Sequence, residues 1–188
     1  MHPQGTAERI CAATEEVFAT MLSLETTPGE AYVETAASPS SEGVVALIGL
    51  AGQWIGTASL NCSAQFACRI ASQMLMMDAQ AVDSDVLDAV AEIANMIIGN
   101  VKTSLELELG PMGMSIPTII FGKNFSARSA GSEEWLTVPF TCEDQRLEVK
   151  FCLAPNRIGR AGSAASYALQ GVPCSGHAAG DLNKKEGN

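Results

Sequence analysis

The sequence predicts an α+β fold: a two-layer sandwich whose mainly antiparallel sheet carries long helices packed on one face. Three observations point there. Apolar residues recur at helical spacing in three segments. Runs rich in β-branched and aromatic residues include two joined by a connection of hairpin length. The run 146–154 alternates, with Leu147, Val149, Phe151 and Leu153 on one face and Glu148, Lys150 and Cys152 on the other. One face of that strand is therefore expected in the core and the other partly exposed.

Over residues 8–24, Ile10, Cys11, Val17, Phe18, Met21 and Leu22 fall at helical spacing with Glu15 and Glu16 between them, which predicts an amphipathic first helix. Pro28-Gly29 stops it, 31–35 suits a short strand, and the Ser- and Gly-containing stretch 38–43 reads as loop. Segments 44–50 and 54–62 are β-type runs separated by Ala51-Gly52-Gln53, so they pair as antiparallel neighbours. Ser63 is placed to cap a helix over 64–77, whose Phe66, Ile70 and Met74 repeat at helical spacing and whose methionines are expected in the core. The longest helix, 83–109, opens in Asp83-Ser84-Asp85, where the helix dipole favours acids, and Gly110-Pro111 breaks it. Strands are expected at 115–122, 134–142 and 146–154. Beyond Pro155 the composition shifts to Gly, Ala, Ser and Lys, with few large apolar residues, so 1–155 is expected as the domain and 156–188 as a disordered tail.

The bulk properties exclude several functions. A chain of 188 residues with 47% apolar residues can bury a full core. Its net charge of −10 and pI near 4.6 repel nucleic acid and anionic lipid, so neither is an expected partner. No stretch approaches the roughly 20 apolar residues that span a bilayer, and the start MHPQGTAERI lacks a secretory pattern. The six cysteines, Cys11, Cys62, Cys68, Cys142, Cys152 and Cys174, show no CxxC pair and no dense framework, which suits reduced, mostly buried thiols in a cytoplasm.

The chemistry concentrates on the long helix. At 100° per residue, Val86, Val90, Ile93, Ile97 and Val101 form one apolar stripe flanked by Leu87, Ala94 and Leu105. Asp88, Glu92, Asn95 and Gly99 cluster on the opposite side, where they should face solvent. Any amphipathic helix has a polar face, and that plain reading competes with a functional one. Three details favour function. Asp88 and Glu92 are an i, i+4 like-charge pair, unfavourable by about 0.2–0.5 kcal/mol. Gly99 costs about 1 kcal/mol against Ala within a helix, and Asn95 is also a poor helix former. Gly99 beside Asn95 would let a partner's backbone come close. A carboxylate can pair with a partner's lysine or arginine, while a primary amide both donates and accepts and so can orient a water. Hydrolysis of a phosphoryl group bound to a partner's metal needs little more than that.

The run Asp88-x-x-x-Glu92-x-x-Asn95, continuing as Asn95-Met96-Ile97-Ile98-Gly99-Asn100-Val101-Lys102-Thr103 and followed by Ser115-Ile116-Pro117-Thr118, resembles the CheX branch of the CheC-type chemotaxis phosphatases. The likeness extends over residues 10–153 and includes the strand pair around Gly49 and Gly56 and the segment 117–123. The resemblance implies a CheX-like phosphatase domain, a hydrolase of two-component signalling that removes the aspartyl phosphate of a CheY-like response regulator. Under it, Asn95 orients the attacking water, Glu92 pairs with the receiver's lysine, and Asp88 and Gly99 border the partner. The chain would need no cofactor of its own, with Mg2+ expected in the partner receiver's active site. A cytoplasmic homodimer formed through the sheets is also implied, and the single motif favours the CheX branch over two-motif CheC.

Other sites find less support. His2 and His177 both fall in the expected disordered ends, which disfavours Ser-His-Asp and Cys-His chemistry. No Cys/His cluster has zinc spacing, and Gly49, Gly52 and Gly56 match no phosphate-binding loop. Asp83, Asp85 and Asp88 lie at helical spacing that does not wrap a calcium ion, so no metal ligand is expected. Trp54 and Trp135 are expected in the core or at a sheet interface. The alternative is a non-catalytic adaptor, or a flagellar-switch-like module, that binds a receiver or chemotaxis protein through the same helix face. A purely structural dimer formed through sheet edges is a third reading.

Overall fold

The computed structural model describes residues 3–34, 41–125 and 134–156, all within one unit, Met1–Arg157. The expected tail beyond Asn156, His2, His177, Cys174 and residues 38–40 of the expected loop lie outside the described residues.

Helix α1 (Thr6–Val17) runs on into a π-helical turn (Phe18–Leu22) that ends at Ser23 in the left-handed region. Short strands β1 (Thr27–Pro28) and β2 (Tyr32–Glu34) follow, then the long hairpin of β3 (Ser41–Gly52) and β4 (Trp54–Cys62). The hairpin forms as expected, with Leu50 opposite Gly56 and Val44 opposite Cys62, and its strands reach beyond the apolar runs. Helices α2 (Ala64–Leu75) and α3 (Ser84–Leu109) come next. Four strands close the fold: β5 (Met112–Met114), β6 (Thr118–Phe125), β7 (Trp135–Cys142) and β8 (Gln145–Pro155). The sheet is antiparallel, in the order β1-β7-β8-β4-β3-β5, with β2 also on β7 and β6 also on β3.

The helices cover one face of this sheet, giving the expected two-layer α+β sandwich. The inner positions of the strands, among them Val44, Ala46, Ile48, Ala58, Leu60, Val138, Val149 and Phe151, are fully buried. Against them packs the α3 stripe, with Val86, Val90, Ile93, Ile97, Val101 and Leu105 all buried. Phe18 of the π turn stacks on Phe66 of α2, and Arg9 of α1 is ion-paired with Glu108 of α3, so α1 and α2 are tied into the same layer. Trp135 is buried and Trp54 packs against the core, as their size suggests.

Four expectations need correction. The strand expected over 115–122 begins only at Thr118, because Pro117 offers no ladder N–H. Ahead of it lies β5, a three-residue strand too short to show a period. Glu148, Lys150 and Cys152 do not form a partly exposed face: Lys150 and Cys152 are buried, and Lys150 is held by Glu34 at 3.4 Å and Glu148 at 3.1 Å. That central strand has neighbours on both sides, and the acids supply the countercharge that burying an ammonium requires. Finally, α2 stops at Leu75, where Met76 turns into the left-handed region at φ 52°. Met74 packs on the core, but Met76 and Met77 are exposed.

Close approach of backbones explains Gly56. A Cβ there would collide with the carbonyl oxygen of Cys152 on the paired strand β8. Gly56→Ala should therefore destabilise the fold by about 1–3 kcal/mol, seen as a lower urea midpoint; an unchanged midpoint would mean that β4 and β8 spread apart freely.

A clamp fixes β5 to α3. Glu106 accepts from Lys102 Nζ at 2.8 Å and from the Met112 N–H at 2.7 Å, while Lys102 also donates to the Met112 carbonyl at 3.1 Å. The bonds from Lys102 and from Met112 hold the Glu106 carboxyl below its ordinary range. A pKa depressed by folding gives stability that is present above the unfolded-state value and lost as pH falls through the folded-state value. Glu106→Gln should lower the thermal midpoint near neutral pH, and the gap to wild type should close on acidification. A gap that persisted in acid would deny the charge any part in it.

Candidate functional site

Helix α3 starts where the sequence dictates. Asp83, in extended conformation, caps it by accepting from the Val86 N–H at 3.0 Å, and Gly110 ends it at φ 79°. Burial of the apolar stripe then fixes the rotation of the helix. Asp88 and Glu92 are exposed, whereas Asn95 and Gly99 are half-buried rather than open to solvent. The reason is the edge of the sheet. A Cβ on Gly99 would lie 3.9 Å from both Sδ and Cε of Met114 in β5, so the chain's own methionine stands beside the glycine.

The polar stripe does not end at Gly99. Lys102 and Glu106 continue it at the same three- and four-residue steps, and all six positions fall within about 80° of arc. That spacing was a signal available in the sequence. The stripe divides by role: Lys102 and Glu106 clamp β5, while Glu92 and Asn95 have no hydrogen-bond or ion-pair partner among the described residues. Glu92 and Asn95 are one turn apart, which places their Cβ atoms about 5–6 Å from each other. An unclaimed carboxylate and an unclaimed amide at that separation can engage a cation and orient a water on an incoming molecule.

A cleft of about 590 Å³ does exist, bounded by Cys68 and Ser72 of α2, the 78–82 connection, Phe121 and the β7–β8 turn, but Asp88, Glu92 and Asn95 do not line it. No group of three or more His, Cys, Asp and Glu that could hold a metal ion occurs among the described residues. Burial pushes Cys62 up to about 12 and also raises Cys11, Cys68 and Cys142, so none of these four thiols is activated. No helix among the described residues is long and apolar enough to cross a membrane.

Comparison with known proteins follows the same lines. The family model for the chemotaxis phosphatase CheX matches residues 44–141. No match is found among curated proteins. A solved structure from Desulfovibrio vulgaris Hildenborough, ascribed to a chemotaxis protein, is 30% identical with a TM-score of 0.70, covering 79% of this chain and 96% of that one. Chemotaxis protein CheX from Desulfovibrio desulfuricans is 28% identical with a TM-score of 0.70, covering 79% and 99%. The CheX–CheY–BeF3–Mg2+ complex from Borrelia burgdorferi matches at 27% identity with a TM-score of 0.66, covering 78% and 96%. With its sheet, its helical layer and more than half of its length matched in this way, the chain belongs to the chemotaxis phosphatase CheX family.

Proposed function

We propose that this chain hydrolyses the aspartyl phosphate of a CheY-like response regulator, with Asn95 orienting the attacking water and Glu92 pairing with a lysine of the receiver. The observation that carries the reading is the unclaimed Glu92–Asn95 pair on the polar side of α3. Neither residue lines the 590 Å³ cleft, and in this reading a partner with its own concave site brings the reacting group to them. The B. burgdorferi structure, in which a family member is complexed with CheY, BeF3 and Mg2+, supports that class of partner.

In the proposed step, the water oxygen forms a bond to phosphorus as the bond to the aspartyl oxygen breaks. The receiver's carboxylate leaves, inorganic phosphate forms, and the water's protons pass to phosphate and solvent. Mg2+ belongs to the receiver and offsets charge on the phosphoryl oxygens. This chain supplies position: the Asn95 amide holds the water in line, and the Glu92 carboxylate fixes the receiver by a charge-assisted hydrogen bond. Asp88 adds negative charge one turn before Glu92, and Gly99 keeps the helix surface low beside Asn95.

Decay of a phosphorylated receiver tests this. Asn95→Ala should lose about a hundredfold or more of the acceleration while still binding the receiver, whereas Glu92→Ala should weaken binding with the fold intact. Wild type that binds without hastening phosphate loss would select the adaptor alternative.

We also propose a homodimer that acts in the cytoplasm. The sheet has edges available for pairing, since among the described residues no further strand pairs the outer side of β6. The absence of disulfides at Cys11, Cys62, Cys68 and Cys142 suits a reducing compartment. Light scattering should return twice the chain mass; a monomer across the working concentration range would remove the dimer.

A further inference from the structure

The connection between β5 and β6 lies beside the motif, and it is built rather than slack. Between the pairs Leu50–Met114 and Leu47–Thr118, two residues of β3 face three, Ser115, Ile116 and Pro117, on the other side. Ser115 anchors the extra residue. Its N–H donates to the Gly49 carbonyl at 2.9 Å, its hydroxyl oxygen accepts from the Gly49 N–H at 2.9 Å, and the hydroxyl donates to the Ile116 carbonyl at 2.9 Å. Pro117 fixes φ on the far side. Ile116 is extruded from the ladder and left 86% exposed. An apolar side chain held out on a fastened bulge loses little freedom when it is buried by a partner.

Its position follows from the contacts of α3. Glu106 and Lys102 bond Met112, and Gly99 lies against Met114, so the helix runs antiparallel to this edge. Continued past Met114, this edge therefore runs toward the Asn95 side of Gly99, which sets the bulge on the motif's side of the clamp. Leu107 and Met76 are as exposed, but neither is fastened by a bulge beside the motif.

We propose that Ile116 is an apolar anchor for the receiver domain, inserting beside the receiver's phosphorylation site and setting which receivers are accepted. The inference rests on the phosphatase reading, and the occupant is the receiver because the bulge is continuous with the face on which Glu92 and Asn95 would engage it. Polar contacts at the motif then supply chemistry, and Ile116 supplies binding and selectivity.

The test uses the full chain and the receiver whose phosphate loss it accelerates, locked with beryllofluoride and Mg2+. Ile116→Ser should weaken Kd about tenfold or more and raise KM for the phosphorylated receiver to match, leaving kcat near wild type; Ile116→Val should recover most of the affinity. Equal binding by wild type and Ile116→Ser would overturn the anchor while leaving the phosphatase reading standing. A fall in dimer mass in Ile116→Ser, with unchanged receiver affinity per chain, would assign the residue to a second copy instead and overturn it too. Failure of wild type to accelerate any receiver would sink the parent reading, a different result from either.

Discussion

The burial of the α3 stripe against the sheet is the constraint on which the rest depends. Val86, Val90, Ile93, Ile97 and Val101 are each essentially inaccessible to solvent, and burying a side chain of this size is worth about 1.5–3 kcal/mol. The unfavourable features of the opposite face are smaller, about 0.2–0.5 kcal/mol for the Asp88–Glu92 repulsion and about 1 kcal/mol for Gly99. The apolar side therefore fixes the rotation of the helix, and the polar side can hold residues that serve something other than stability.

That polar side is used in two ways along one stripe. Toward its C-terminal end, Lys102 and Glu106 take both backbone groups of Met112 and hold the edge strand to the helix. Toward the middle, Glu92 and Asn95 make no such commitment. A rigid helix, backed by a packed core and clamped at one end, holds such groups more closely than a loop would. This arrangement suits chemistry in which a phosphoryl group and its metal arrive with the partner, and the chain supplies geometry alone.

The far face of the sheet is a different environment. Lys150 and Cys152 lie buried there, and Lys150 is placed between Glu34 and Glu148. Alternation along 146–154 correctly separated the two faces of the strand, but it carries no information about how deeply either is covered. Burial of the second face depends on neighbours contributed by other parts of the chain. The same limit applies to Met76 and Met77, whose hydrophobicity suggested core and whose place after the left-handed turn of Met76 leaves them outside it.

What the sequence determined by itself is what short-range periodicity encodes: three helices, the β3–β4 hairpin, the alternation of β8, and the grouping of Asp88, Glu92, Asn95 and Gly99 on one side of a helix. Those features need only the step of 100° in a helix or the two-residue repeat of a strand. Only the tertiary structure decided that Gly99 lies against Met114, that Ser115 takes both backbone groups of Gly49, and that Ile116 is pushed out of the ladder and exposed. Gly49 and Ser115 are 66 positions apart, and β5 is three residues long, too short for any repeat to register. Contacts at such separations are set by which strands the buried core brings together, and no local pattern records that outcome.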